Sequence, residues 1–538
     1  MKRIYIAGCF LCLAFYLQAQ TEEGKLQREL TVEKEYNPSL RDANKINELP
    51  DIKTPEAPKT SVDYSNYTLD CLIPPYFQPF KAKTYYSGFA TSKKRGYLDI
   101  NIGTLFNKNA DAGYQILRSE KDRLSVFGSH RSSNSKVHSL QDDAEARMKI
   151  SDNALGVDFW HRFKKAALSA DAQYVYSGFN DYGFGLLTDS TPNDRVNQRF
   201  QTHLGLQSVN NEGLHYQTNL SYTLFTQEYQ PIDKKLSGTE NRLMADGNLF
   251  TDFMGIAASV KTYFHPHNNM NYASLSAQPY LLFEGDEWNA HTGLTLSRQV
   301  GGVDEFLVSP DIRFNWRPSD AVLFYCSALG GIQDNSQYNS RIENRYISPL
   351  YRIRDSQSPF DGTVGIQFSP VANLSIDVFS GYQWLKDAHF YLLNDSAGTI
   401  PQYANARKFK LGGLFAYHYR DIADFGLQWT YSHWNITKSL EATATAVKAW
   451  NQPAFAAVFN AGFQLPVIPF RTDLMYHLET GRINMKNIHA VDITGTYTLN
   501  EILSLYLKVN NVLNQHYELW YGYPAQACHI LFGGSLKF

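Results

Sequence analysis

Apolar and polar residues take turns along most of this chain. Leu503, Leu505, Leu507 and Val509 alternate with Ser504, Tyr506, Lys508 and Asn510, and Val491, Ile493, Gly495, Tyr497 and Leu499 alternate with polar neighbours. The same period of two returns at Phe425–Tyr431, at Phe409–Tyr417, at Leu214–Leu224 and at Leu98–Ile102. Each run predicts a strand with one greasy and one wet face, long enough to cross a bilayer when tilted. The last residues, ILFGGSLKF, do the same: Ile530, Phe532, Leu536 and Phe538 share one face.

The connections between these runs fall into two kinds. Short turns are expected near Glu120–Asp122, Lys164–Lys165, Asn210–Gly213, Asp252–Gly255, Glu284–Glu287, Arg317–Asp320, Ser369–Asn373, Arg420–Ala423, Pro466–Pro469 and Asn500–Glu501. Longer polar loops lie between them, near 106–110, 137–145, 185–196, 231–239, 265–271, 300–304, 333–357, 393–402, 438–452, 483–488 and 521–527. Ten turns and eleven loops make 21 connections and 22 strands, within a range of about 20–24. Short turns on one rim and long loops on the other predict an all-β, antiparallel transmembrane barrel of the bacterial outer membrane. A soluble sandwich also alternates, but it does not sort its connections by rim. Closure is obligatory in lipid, because every backbone N–H and C=O must be paired within the protein. The terminal strand is therefore expected to pair with the first, with Ile530, Phe532, Leu536 and Phe538 serving as closing strand and assembly signal.

Composition fits this picture. The chain has 35 Tyr, 33 Phe and 8 Trp, yet a mean hydropathy of −0.37, so many rings must sit half wet and half in lipid. A formal charge of −2 offers no basic field for nucleic acid. The front, MKRIYIAGCFLCLAFYLQAQ, reads as a secretory signal over residues 1–19. Cys9 lies too close to Arg3 for a lipoprotein cleavage site. Beyond the signal only Cys71, Cys326 and Cys528 remain, which is no disulfide framework.

Residues 20–80 read differently from the barrel assigned to 81–538. Seven of the 21 prolines fall here (Pro38, Pro50, Pro55, Pro58, Pro74, Pro75 and Pro79), and KTPEAPKTS is an extended linker. Within this periplasmic arm, Leu30, Val32 and Tyr36 could add a strand to a partner's sheet edge; a passive leader is the alternative.

At LKVNNVLNQHYELWYGYPAQACHILFGGSLKF, residues 507–538, the chain resembles the C-terminal hairpin of TonB-dependent receptors. Asn511-Val512-Leu513-Asn514, Tyr517-Glu518 and the final Phe538 carry that resemblance. EYNPSLRDANKINELP is similar to the leader of plug-less, receptor-like outer-membrane proteins of Bacteroidota. The resemblance implies a 22-strand barrel, and residues 20–95 are too few for that family's plug. It implies an outer-membrane location and contact with lipid, lipopolysaccharide and the barrel assembly machinery.

Other chemistry is sparse. His265-Pro266-His267 lacks a third ligand nearby, and Asp142, Asp143 and Glu145 lack the spaced pattern of a Ca²⁺ loop. No nucleophile elbow, phosphate loop or paired Cys motif is present, so neither catalysis nor a cofactor is expected. Two functions remain: a structural, assembly or partner-binding component of the envelope, or a nutrient receptor gated by a partner such as a surface lipoprotein. Fold ancestry leaves that choice open.

Overall fold

Twenty-two antiparallel strands close into one barrel in a computed structural model. The structure describes residues 94–538, except 142, 144, 184–192, 210–212, 230–235, 267–270, 302–304, 349–350, 352–353, 372, 395–397 and 441–446. All ten expected short turns join strands on one rim, and the eleven connections expected to be longer join them on the other. Three of those eleven are short, at 104–107, 301–304 and 395–397; at the last, the strands Leu374–Asn394 and Gly398–Tyr419 run through most of the loop expected over 393–402. The first strand, Gly96–Gly103, pairs with the last, His529–Lys537, from Tyr97↔Lys537 to Gly103↔Leu531. The N–H of Phe538 donates to Gly96 O at 2.9 Å, and Gly96 N–H donates to Phe538 O at 2.7 Å.

The register sorts side chains between the two faces across the first five strands. Leu98, Ala112, Gly128, Leu155 and Tyr174 form one cross-strand row that faces outward; Asp99, Asp111 and Ser129 form the adjacent row that faces the lumen. Leu155, Leu204, Leu294, Val308 and Val364 stand exposed on the outer face, as a lipid-facing belt requires. Near the turn rim that belt ends in rings: Tyr114, Trp288, Trp316, Phe463, Tyr497 and Phe538 are all exposed there, and Phe538 stacks on Tyr114 with centroids 6.1 Å apart.

Strand length is uneven. The strands Gly96–Gly103 and Leu503–Asn510 have 8 residues each, whereas Leu374–Asn394 and Gly398–Tyr419 have 21 and 22. Because the turn rim is marked by the ring girdle, the extra length stands at the loop rim. Among the described residues there is one helix, Gln337–Glu343, and one small extra hairpin, Glu518–Trp520 with Tyr523–Pro524. Both lie in loops, and alternation in the sequence signals neither.

Candidate functional site

The loop rim is crossed by two loops that fold inward and meet over the lumen. The first, a strap over residues 334–355, leaves the thirteenth strand, Val322–Gln333, and reaches Asp152 on the fourth, Glu145–Arg162, nine strands away around the wall. Its helix starts at Ser336, whose hydroxyl accepts from Asn339 N–H at 3.2 Å. Glu240, on the lumen face of the strand Leu236–Phe250, accepts from Gln337 N–H at 2.9 Å; a carboxylate suits the positive end of a helix.

Each turn of the strap finds a partner on the wall. Asp334 bonds Arg242 at 3.2 Å. Tyr338 bonds Arg199 through its hydroxyl, and the guanidinium lies 4.7 Å from its ring centre. Glu343 accepts from Tyr391 OH at 2.7 Å and meets His389 Nε2 at 2.9 Å. Arg345 grips both carboxylate oxygens of Asp152, at 3.3 and 3.0 Å, the bidentate geometry that gives such pairs their direction. Ile347 bridges Thr399, and its carbonyl accepts from Arg195 Nη1 at 2.8 Å. Burial lowers Arg341 to about 10; it donates to the carbonyls of Ser348 and Tyr351, both at 3.2 Å.

The second loop is the last one, 511–528. Gln141 donates to Glu518 Oε1 at 2.6 Å and Arg482 to Glu518 O at 2.8 Å. Gln526 reaches Ser133 at 2.8 Å, and Tyr521 N–H donates to Asn451 at 3.2 Å. Tyr523 OH donates to Asp181, which also holds Arg195.

The loops join at a knot of rings. Tyr346 of the strap stacks on Tyr523 with centroids 3.9 Å apart and planes 16° apart. Tyr182 meets both edge-on, at 5.6 and 5.5 Å, and Phe179 meets Tyr346 edge-on at 5.9 Å. Tyr182 and Tyr523 are 1% and 0% exposed. Each ring pair adds about 0.5–1.5 kcal/mol beyond the apolar area it buries. Burial pushes all three phenols upward, so they remain neutral donors.

The residues singled out in the sequence fall elsewhere. Ile530, Phe532 and Phe538 are exposed on the outer face, and Leu536 is half-buried in the same row. Leu30, Val32 and Tyr36 lie outside the described residues, as do His267 and Asp142. His265 is committed to Glu240 at 3.1 Å, and Glu145 pairs with Lys136. Among the described residues no group of three His, Cys, Asp or Glu side chains is placed to hold a metal. The lid was missed because 333–357 reads as a polar loop; its one sequence signal was the cap pattern at Ser336, three residues ahead of Asn339.

No family model and no curated protein matches this chain. Solved structures do. The copper transporter OprC is 11% identical with a TM-score of 0.62, covering 83% of this chain and 80% of its own. The FrpB iron transporter from Neisseria meningitidis is 10% identical with a TM-score of 0.65, covering 83% of each chain. A mutant ferric enterobactin receptor, PfeA from Pseudomonas aeruginosa, in complex with enterobactin, is 12% identical with a TM-score of 0.63, covering 83% of this chain and 82% of its own. What is shared at these identities is the fold: this chain is built as outer-membrane receptor and transporter barrels are.

Proposed function

We propose that the protein is a closed outer-membrane barrel that serves as a structural, assembly or partner-binding component of the envelope rather than as an open pore. The observation that carries this reading is the Tyr346–Tyr523 stack, which ties two loops together across the mouth. In this reading, the arm over residues 20–80 extends into the periplasm of a Gram-negative cell and offers Leu30, Val32 and Tyr36 as an added strand to an envelope protein. Ile530, Phe532, Leu536 and Phe538 act as the closing signal read by the barrel assembly machinery, and the belt meets lipid and lipopolysaccharide. The plug-less receptor-like proteins that the leader resembles fit this role.

A second reading is a nutrient receptor gated in trans, favoured by the fold shared with metal and siderophore transporters. Two measurements separate them. The full-length protein in planar bilayers should show no steady conductance of porin size, and co-purification from solubilised outer membrane should lose a partner when residues 21–49 are deleted. An open wild-type channel, or an unchanged set of co-purifying proteins, defeats the first reading.

A further inference from the structure

On the lumen wall, aromatic residues and glycines alternate across neighbouring strands. Tyr97 pairs with Gly113, Gly113 with Phe127, and Phe127 with Gly156. A Cβ on Gly113 would lie 2.5 Å from the Tyr97 ring, and one on Gly156 would lie 2.3 Å from the Phe127 ring. Each ring therefore lies flat over the glycine of the next strand. A second row, Tyr325–Gly365–Phe379–Gly412, is built in the same way, and its rings are each 8% exposed. Tyr97 and Phe127 are 45% and 36% exposed. The motif does not require open rings, so the first row is an apolar ledge left facing the lumen. Trp160, on the same strand and face as Gly156, extends it, with Arg123 5.0 Å over its ring.

The chain itself enters the barrel at this ledge. Arg95 N–H donates to Phe538 O at 2.6 Å, and Gln115 N–H donates to Arg95 O at 2.8 Å, so the stretch ahead of Tyr97 arrives at the turn rim. Shortly upstream stands Pro75-Tyr76-Phe77-Gln78-Pro79-Phe80. Its prolines favour a polyproline II helix, with three residues per turn and a rise of about 3.1 Å, so Phe77 and Phe80 share an edge about 9.3 Å apart. Tyr97 and Phe127 are two strands apart, about 9.6 Å at the usual strand spacing. Residues 81–95 can span up to about 50 Å when extended, which is ample.

We propose that Pro75–Phe80 docks on the lumenal ledge of Tyr97, Phe127 and Trp160, with Phe77 and Phe80 seated on the two open rings, and so anchors the arm at the barrel's turn-rim entrance. Stiff, pre-extended segments of this kind lose little entropy on docking against aromatic grooves. The docking does not depend on what the arm binds or on whether the lid opens.

The test is crosslinking in the full chain with Cys71, Cys326 and Cys528 replaced by serine. Phe77→Cys should form a disulfide with Ser129→Cys, which faces the lumen beside Phe127. It should form none with Val126→Cys, which faces lipid. Equal yields for both pairs, or no disulfide in the lumenal pair, overturn the proposal. Because a double variant could fail to fold, single Ser129→Cys gives a second reading. Maleimide should label it at least five-fold more slowly in the full chain than in a chain with residues 75–80 replaced by glycine and serine; equal rates also overturn the proposal.

Discussion

The hydroxyl of Tyr506 donates a 2.6 Å hydrogen bond to Asp99 across 407 positions of sequence. Between them lies Gly533, paired with Tyr506 on one side and Asn101 on the other. Asn101 Nδ2 donates to the same hydroxyl at 2.9 Å, and Asn109 donates to Asn101 at 2.7 Å. The network buckles the closing seam from the lumen side. Tyr506→Phe leaves Asp99 and Asn101 without this partner, at a cost of about 1–3 kcal/mol. It should lower the temperature at which the folded band unfolds in a gel-shift assay. Gly533→Ala should lower it further, since a Cβ there lies 2.4 Å from the Tyr506 ring. A wild-type transition in both variants would show that the clasp carries no weight.

The two rims should face different compartments. Lys448→Cys in a long loop and Val467→Cys in a short turn are both exposed positions. An impermeant maleimide added to intact cells should label the first and not the second. The opposite result inverts the orientation.

Phe538 carries both backbone closure and a ring of the girdle. Its deletion removes a side chain worth about 1.5–3 kcal/mol of burial together with the bonds to Gly96 and Arg95. Outer-membrane levels should fall well below those of the conservative Ile530→Leu on the same strand. Equal levels in quantitative immunoblots would remove Phe538 from the assembly signal.

Glu518 gives the last loop a pH dependence. Burial raises its carboxyl above the ordinary range, against the opposing pull of Gln141, Gly522 N–H and Arg482. A carboxyl raised in the folded state contributes stability that is complete below its unfolded pKa and is lost as pH rises through the folded value. Exchange protection over 516–524, corrected for intrinsic rates, should therefore fall as pH climbs from about 4 upward. Glu518→Gln keeps an oxygen for Gln141 and Gly522 and should flatten that profile; an unchanged slope assigns it elsewhere.

Strands were legible here because lipid on one side and water on the other impose a period of two that no soluble edge imposes so consistently. Leu503 to Asn510 reads as a strand from eight letters. The lid was not legible. Arg345 and Asp152 are 193 positions apart, and no local pattern tells Tyr346 that its neighbour is Tyr523. The same holds for the clasp and the ledge: Asp99 and Phe127 are visible as strand residues, but their partners depend on register, which the alternation leaves undetermined between strands.

The uneven strands leave a mouth with a direction. At roughly 3.3 Å per residue, one adjacent pair of strands of 21 and 22 residues outruns the seam strands of 8 and 9 by tens of ångströms along the strand. The rim is a parapet on one side and a doorstep on the other. The low side lies at the seam, beside Thr104 and Ile530, and the high side is that one pair of strands; directly across from the seam, Trp288–Val300 and Glu305–Ser319 are of middling length, with 13 and 15 residues.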